Sequence, residues 1–327
     1  MIAAGGEKAL PGDGAAAPAV SICIPAYNYA RFLPDAIESV LAQTFRDFEL
    51  VIVDNCSTDT TAEVVARYAA RDHRIRYVCN EVNVGAQENL NRCLRNASGE
   101  FVKVLCADDL LAPECIARMV AVFADHPKVS LVASSRQLVD ATLRPIRKIA
   151  FSRRFRVLPA ARVINLCLFN GNYIGEPSAV LFRRQDALRG FDTTYAQLID
   201  LEMWFHLLER GDFATVPDTL CIFRQHEAQE TRGNRRAFAF LEEEERFYRE
   251  FSAKPVVRAT LLNRLLWRTR LAHYVWRDRQ ACDNKCWVRE QMERYLALPI
   301  FLVLFPLISV ARKAAKGYDW LLAILEG

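Results

Sequence analysis

Strand-like and helix-like stretches alternate four times near the start of the sequence. Apolar runs at residues 20–25, 48–53, 75–79 and 101–105 are separated by segments whose apolar side chains recur at helical spacing. A short apolar run bounded by polar residues is typical of a buried strand, and strands that alternate with helices form a parallel sheet. We therefore expect an α/β fold with a mostly parallel central sheet and helices on both faces.

Carboxylates follow two of these runs directly. The run at 101–105 leads into Asp108 and Asp109, and the run at 48–53 ends in Asp54. Right-handed crossovers place the carboxyl ends of parallel strands at one edge of the sheet, where open α/β sheets bind ligands. Carboxylates there suit a hard divalent cation that bridges phosphates. The alternative is a solvated turn, because Asp is a common turn residue.

Three segments over residues 20–112 resemble, in the right order, the nucleotide-sugar half of family 2 glycosyltransferases. They read SICIPAYNYARFLPDAIESVLAQTF, ELVIVDNCSTDTT and NVGAQENLNRCLRNASGEFVKVLCADD. The resemblance implies the glycosyltransferase A-type fold, a base contact by Asp54 and a divalent metal, Mn²⁺ or Mg²⁺, bound by Asp108. The nucleotide-sugar-binding residues that it implies are Pro25, Ala26, Tyr27, Asp54, Gly85, Asn89, Asp108 and Asp109.

One position departs from the family's acidic motif. That motif is often Asp-x-Asp, and Cys106 stands in place of its first Asp, which is expected to contact ribose and metal. A catalytically inactive nucleotide-sugar-binding or scaffold protein is therefore an alternative function. A sugar nucleotidyltransferase is another alternative, but such enzymes generally carry a glycine-rich loop after the first strand, and IPAYNYA has none.

Residues after the acidic segment are candidates for the acceptor side. GNYIGEPSAVLFR, at residues 171–183, sets a polar turn before an apolar run, and the resemblance implies that Glu176 and Ser178 face the acceptor sugar. IDLEMWFHLLERG resembles the family helix in which an acidic residue precedes a tryptophan. The resemblance makes Asp200 the general base and Trp204 an acceptor contact. Without it, Asp200 reads equally as a helix N-cap.

Two candidates for phosphate and metal binding follow a pair of predicted short strands at residues 213–216 and 220–224. Arg224 suits bidentate contacts with phosphates. In several glycosyltransferases of this fold a His after the last strand completes the metal site, which makes His226 a candidate ligand; a structural His is the alternative. The basic segment 136–157 predicts a hairpin or a mobile loop over the site.

Three regions are expected along the chain: a flexible leader at 1–18, a catalytic domain at 19–230 and a helical region at 231–327. Residues 296–311 are uncharged and precede a basic cluster, Arg312, Lys313 and Lys316. Such a run is too short for a typical membrane span, which needs about 20 residues. Apolar residues beside a basic cluster favour a membrane-surface anchor within 296–316, and a core helix pair is the alternative.

The composition indicates the class of protein, and the cysteine usage indicates its compartment. A net charge of +4, with 52% hydrophobic and 25% charged residues, is typical of a globular protein and does not indicate a nucleic-acid partner. Ten cysteines without a C-x2-C pair argue against zinc and suit a reducing cytoplasm. We expect a cytoplasmic enzyme with a peripheral contact at the inner face of the cytoplasmic membrane. It is expected to move a sugar from a UDP-linked donor, with inversion, to a glycan or lipid-linked acceptor in cell-surface polysaccharide synthesis.

Overall fold

The computed structural model describes residues 17–226, 240–281 and 284–314, and a ten-stranded sheet runs through the first of these segments. The strands are β1 (Val20–Ala26), β2 (Phe48–Asp54), β3 (Ile75–Cys79), β4 (Phe101–Val104), β5 (Leu110–Leu111), β6 (Val129–Val139), β7 (Pro145–Ile149), β8 (Arg156–Leu158), β9 (Val180–Arg183) and β10 (Asp212–Arg224). The helices are α1 (Leu33–Leu41), α2 (Thr61–Ala69), α3 (Ala86–Asn96), α4 (Cys115–Asp125), α5 (Ala160–Asn170), α6 (Ile199–Leu208), α7 (Phe240–Ser252), α8 (Leu261–Asp278), α9 (Lys285–Tyr295) and α10 (Leu298–Ala314).

The sheet is parallel in its first half and mixed in its second. Its order is β3-β2-β1-β4-β9-β6-β10-β5, with β7 beside β6 and β8 beside β10. The pairs among β3, β2, β1 and β4 are parallel, which confirms the α/β prediction. The prediction of a mostly parallel sheet does not extend further, because β9 runs antiparallel to both β4 and β6. The amino end of β9 therefore lies beside the carboxyl ends of its neighbours.

Two apolar layers cover the two faces of the sheet, because successive side chains of a strand point to opposite faces. On β2, Val51 and Val53 belong to the layer with α3, α5 and α6, whereas Leu50 and Ile52 belong to the layer with α1, α2 and α4. All four side chains are fully buried. This two-sided burial explains why the early strands read as continuous apolar runs.

A buried carboxylate lies at the amino end of the parallel strands. Glu49 accepts hydrogen bonds from Ser21 Oγ at 2.6 Å and from Ser98 N and Oγ at 2.7 and 2.6 Å. Arg76 lies 2.7 Å from its other oxygen. Burial acts to raise the pKa of Glu49, but these hydrogen bonds outweigh it and lower the pKa. Gly99 packs closely against β1 beside this carboxylate, since a Cβ at this position would lie 2.6 Å from the backbone nitrogen of Ser21.

Two predicted features of the second half differ in detail. The predicted hairpin within 136–157 is present as β6 and β7, which pair antiparallel. The two short strands predicted at 213–216 and 220–224 form one strand, β10, whose pairing with β6 shifts between Val216 and Thr219. Pro217 lies in that interval, and its missing N–H explains the break in register.

The helices after residue 239 have an apolar cluster of their own, which includes Phe240, Leu271, Val275 and Phe301. None of the helices among the described residues combines the length and apolar character needed to cross a bilayer. Most of the predicted leader, the predicted boundary at 230/231 and the last residues of the predicted anchor lie outside the described residues.

Candidate active site

The acidic segment forms a turn directly after β4, and Asp109 fixes that turn to two other elements. Asp109 is fully buried; its Oδ2 accepts from Ser178 Oγ at 2.6 Å and its Oδ1 from the backbone N–H of Arg224 at 2.9 Å. Burial and the neighbouring Asp108 raise the pKa of Asp109 well above its ordinary value. Asp109 is therefore a framework residue that joins β4, the turn before β9 and β10, rather than the predicted contact to the donor.

Asp108 meets His226 at the end of β10. The Nε2 atom of His226 lies 2.9 Å from Oδ2 of Asp108. The imidazole packs on Phe32, with ring centroids 4.7 Å apart, and edge-on against Tyr29. The structure thus brings together the two predicted metal ligands, which are far apart in sequence.

The donor atoms at this turn suit a divalent ion. Ligand atoms of Cys106, Asp108 and Asp109 lie within 4.8 Å of one another. Asp109 is engaged in the framework, so Asp108 and His226 are the residues that could hold such an ion, with oxygen and nitrogen donors that Mn²⁺ accepts. Burial, together with Asp109 and Asp108, raises the pKa of the Cys106 thiol well above its ordinary value. A neutral thiol is a poor ligand for a hard cation.

On the donor side, Asp54 holds the loop after β2. Its Oδ1 accepts from Ser57 N and Oγ at 3.0 and 2.6 Å, and its Oδ2 accepts from the Tyr77 hydroxyl at 2.6 Å. Asn28, with a left-handed φ of 57°, accepts at its side-chain oxygen from the backbone N–H of Thr58 at 2.8 Å. The loops after β1 and β2 therefore form one bonded surface next to the acidic turn.

The remaining donor-side candidates line or support this surface. Tyr27 is 41% exposed and Pro25 is partly buried, whereas the side chain of Ala26 is buried. Gly85 precedes α3 with a φ of 83°.

Asn89 is buried, and its amide donates to Val53 O at 3.0 Å and accepts from Asn80 at 2.9 Å. It supports the loop from beneath and does not line the predicted diphosphate side.

Arg224 is buried at the end of β10 and reaches α1. Its guanidinium donates to Asp35 Oδ2 at 2.7 Å and lies over the Phe32 ring, 4.7 Å from the centroid. Its backbone N–H holds Asp109. The residue predicted to neutralise phosphates is thus bonded to a carboxylate in this structure.

Asp200 lies at the start of α6, and the turn before β9 contacts it. Its Oδ2 accepts from Asn172 Nδ2 at 2.9 Å and its Oδ1 from the backbone N–H of Leu201 at 2.6 Å. Enclosure by the surrounding protein is the largest cause that raises the pKa of Asp200 to about 7; Glu176 raises it further, while Arg136 acts in the opposite direction. A carboxyl group with such a pKa can exchange a proton near neutrality.

The predicted acceptor contacts divide into one that lines the site and two that do not. Glu176 is partly exposed and lies 2.5 Å from Arg136 Nε. Ser178 is fully buried between Asp109 and the backbone N–H of Cys106, and the buried Lys103 donates to its carbonyl oxygen at 2.7 Å. The acceptor role predicted for Ser178 is therefore wrong, because its hydroxyl is enclosed by the framework.

Trp204 is also a framework residue, which corrects the prediction that it contacts the acceptor. Its side chain is 0% exposed and packs between Phe182 and Phe191. Its indole N–H donates to the carbonyl oxygen of Gly175 at 3.0 Å. Helical spacing of apolar residues on α6 places it in the core, and this ordinary signal outweighs the resemblance at this position.

Sequence reasoning missed three residues that shape the site: Asn172, Arg136 and Tyr77. Asn172 lies inside the polar turn that the sequence does mark, but nothing in its spacing indicates a partner 28 positions away. Tyr77 lies within a strand-like run and Arg136 begins the basic segment predicted as a hairpin or loop, and neither pattern indicates what these side chains face.

A sequence comparison decides the family. A model of glycosyl transferase family 2 matches residues 21–189. The chain belongs to glycosyltransferase family 2. The putative glycosyltransferase EpsE of Bacillus subtilis (strain 168) is 29% identical over 203 residues, which cover 59% of this chain and 68% of EpsE. Glycosyl transfer is the chemistry of this family.

Two solved structures have a fold similar to that of this chain. Crystalline S. aureus TarS 1-349 in complex with UDP-GlcNAc matches with a TM-score of 0.54 and 17% identity, over 84% of this chain and 88% of that one. The mannosyltransferase PcManGT from Pyrobaculum calidifontis, in complex with GDP-Man and Mn²⁺, matches with a TM-score of 0.58 and 21% identity, over 96% and 89%. At these identities the likeness shows the glycosyltransferase A-type fold.

Proposed function

We propose that this chain transfers a sugar from a UDP-linked donor to a hydroxyl group of a glycan or lipid-linked acceptor, with inversion at the anomeric carbon. One observation carries the proposal: the turn before β9 bonds both carboxylates, Asp109 through Ser178 at 2.6 Å and Asp200 through Asn172 at 2.9 Å, so the acidic turn and the candidate base share one site. The ligands named for TarS and PcManGT support a nucleoside-diphosphate sugar as the donor.

Asp200 is the proposed general base. The acceptor oxygen forms a bond to the anomeric carbon while that carbon's bond to the diphosphate oxygen breaks, and Asp200 takes the acceptor's proton. A base of this kind contributes about a hundred- to ten-thousand-fold in rate. Glu176, the other carboxylate nearby, is engaged by Arg136, which leaves Asp200 as the proton acceptor. A single displacement inverts the anomeric configuration.

Asp108 and His226 are the proposed ligands of a divalent ion, Mn²⁺ or Mg²⁺. When bound, the ion stabilises the negative charge of the departing diphosphate. Tyr27 and Asp54 are the proposed contacts to the nucleoside: Tyr27 is 41% exposed on the surface formed by the loops after β1 and β2, and Asp54, which is buried, holds the second of these loops in place. Gly85 and Pro25 complete this side.

The proposed setting is cell-surface polysaccharide synthesis at the inner face of the cytoplasmic membrane. The kinship with EpsE supports a bacterial glycosyltransferase role. The exposed apolar side chains of α10, Leu302, Val303 and Leu307, support a peripheral membrane contact, since they are 53%, 62% and 62% exposed. The basic residues that follow in sequence would favour an anionic leaflet.

Thermal unfolding in the presence of a panel of nucleotides and nucleotide sugars, with Mn²⁺, with Mg²⁺ and with chelator, tests the donor half. A ligand that binds the folded protein raises the unfolding temperature. We expect a metal-dependent shift with uridine nucleotides that Asp108→Asn weakens. Asp200→Asn should keep the shift and abolish sugar transfer. Absence of a shift with every nucleotide would favour a scaffold protein, to which Cys106 already points.

A further inference from the structure

Asn172, in the turn between α5 and β9, lies beside the proposed base. We propose that Asn172 is a positioning residue that orients the Asp200 carboxylate toward the acceptor, an inference that rests on the proposed function of Asp200. The bond between them joins Asn172 Nδ2 to Asp200 Oδ2 at 2.9 Å. No other side-chain amide among the described residues is recorded on this carboxylate.

The backbone of the turn fixes which way the Asn172 amide points. Its Oδ1 accepts from the N–H of Gly175 at 3.0 Å, and its Nδ2 donates to the carbonyl oxygen of Gly175 at 3.2 Å. A backbone N–H can only donate, so the amide oxygen must face it and the amide NH₂ must face Asp200. The Asn172 side chain therefore presents a hydrogen-bond donor, its NH₂ group, to Asp200.

A closed ring of contacts holds the pair in place. Gly175 accepts from the indole N–H of Trp204 at 3.0 Å, and Trp204 lies one helical turn after Asp200 on α6. Gly175 has a φ of 123°, and a Cβ there would lie 2.9 Å from a guanidinium nitrogen of Arg136. The helix that carries the base thus holds the turn through Trp204, and the turn holds the base through Asn172.

The hydrogen bonds leave Asp200 able to accept a proton. Leu201 and Asn172 each use one lone pair on a different oxygen, and each oxygen keeps another. Among the described residues, Glu176, from the same turn as Asn172, and Arg136, from β6, are the charged groups with the largest effect on the pKa of Asp200. A donor to the charged form lowers a carboxyl pKa, as the Leu201 N–H does here, and we expect the Asn172 amide to act on Asp200 in the same direction.

A carboxyl titration of the free enzyme tests the proposal without any substrate. Protein labelled with ¹³C at Asp side-chain carboxyls is titrated by NMR, and Asp200→Asn assigns the signal. We expect the Asp200 midpoint to rise in Asn172→Ala, which loses the donor. It should rise further in Asn172→Asp, which places a second carboxyl there; that pair then titrates in two coupled steps.

Asn91 offers the matched control. Its amide also accepts from and donates to one loop residue, Phe191, at 2.7 and 3.0 Å, but no carboxylate within the described part of the chain is bonded to it. Asn91→Ala and Asn91→Asp should lower the unfolding temperature to a similar extent as the Asn172 variants and leave the Asp200 midpoint unchanged. An unchanged midpoint in both Asn172 variants would overturn the proposal.

Sugar transfer provides the second readout. Because a misplacement of about 1 Å can cost roughly a hundredfold, we expect Asn172→Ala to lower kcat by about 10- to 100-fold at neutral pH with the donor KM unchanged. Part of the loss should be recovered at higher pH. Wild-type kcat in Asn172→Ala, when Asp200→Asn is inactive, would overturn the positioning role alone. Full transfer by Asp200→Asn would overturn the proposed base and the positioning role together.

Discussion

The Nε2 atom of His226 lies 2.9 Å from a carboxylate oxygen of Asp108, although 118 positions separate the two residues in the chain. This contact joins the end of the last central strand to the turn after β4. The ring also packs on Phe32, so the position of His226 is consistent both with a structural role and with metal binding. Substitutions can separate the two roles.

His226→Phe keeps an aromatic ring against Phe32 and removes the nitrogen. We expect it to reduce the stabilisation by uridine nucleotides in Mn²⁺, while the unfolding temperature in chelator changes little. His126→Phe is the matched control, because His126 also stacks on a phenylalanine, Phe155. Differential scanning fluorimetry measures both variants. An undiminished Mn²⁺-dependent shift in His226→Phe would remove His226 from the metal site.

Cys106→Asp restores the family's first acidic position. The new carboxylate would lie beside Asp108 and Asp109 at a partly buried position, so in chelator the folded state should lose about 1–3 kcal/mol from repulsion among the three carboxylates and from desolvation. With Mn²⁺ the unfolding temperature should rise by more than in wild type. Cys106→Ser controls for loss of the thiol. A smaller Mn²⁺ effect than in wild type would show that the first position does not face the ion.

Stability should depend on pH through Asp200. Its pKa is raised on folding from the ordinary carboxyl range to about 7, so the unfolded state ionises first as pH rises. The folded state therefore loses stability between about pH 4 and 7, by a few kcal/mol at most. Asp200→Asn should lack this loss. Denaturant unfolding of both proteins across that range measures it, and a constant difference with pH would contradict the raised pKa.

Glu49 should show the opposite dependence. Its pKa is lowered on folding, so its contribution is present at neutral pH and disappears as pH falls through the lowered value. Glu49→Gln should cost about 1.5–3 kcal/mol at pH 7, since three charge-assisted hydrogen bonds and a contact with Arg76 are weakened. The cost should shrink in acid. Unfolding at neutral and acid pH tests this, and an equal cost at both would refute it.

The apolar face of α10 should mediate binding to anionic vesicles. Changing Leu302, Val303 and Leu307 to Ser should weaken binding by about tenfold or more, because each loses apolar area that lipid would cover. The matched control changes Val82, Ile146 and Leu188 to Ser, whose exposed fractions are 62%, 53% and 73%. Vesicle co-sedimentation compares them. Equal losses, or equal binding, would exclude a specific role for α10.

The first half of the sequence predicts its own structure well, because local signals and tertiary burial agree there. Runs such as Phe48–Asp54 are apolar on both faces, and the family motifs coincide with strand ends. Helix α3 begins and ends where its amphipathic pattern does, at Ala86 and Asn96. The position of the carboxylates after β2 and β4, at one edge of the sheet, follows from the parallel topology alone.

The second half is less predictable, because its site depends on contacts between distant residues. Ser178 and Trp204 are polar or amphipathic residues in the expected segments, yet the fold turns both inward. Asn172 matters only through Gly175 and Asp200, and a one-dimensional pattern contains no sign of that contact. The antiparallel direction of β9 is likewise set by pairing and not by its four residues.

Strand β9 lies between β4 and β6 and so joins the first half of the sheet to the second. Its short pairing with β4 offers a site for protein engineering. β9 pairs with β4 through only two residue pairs, Phe101–Arg183 and Val102–Phe182. The segment from the end of α5 to β9 therefore enters the site as an insert whose two ends rest on the framework. On the proposed function, exchanging that insert between relatives, with Asn172 and Ser178 kept in place, should change which acceptor is glycosylated while the donor preference stays with the host chain.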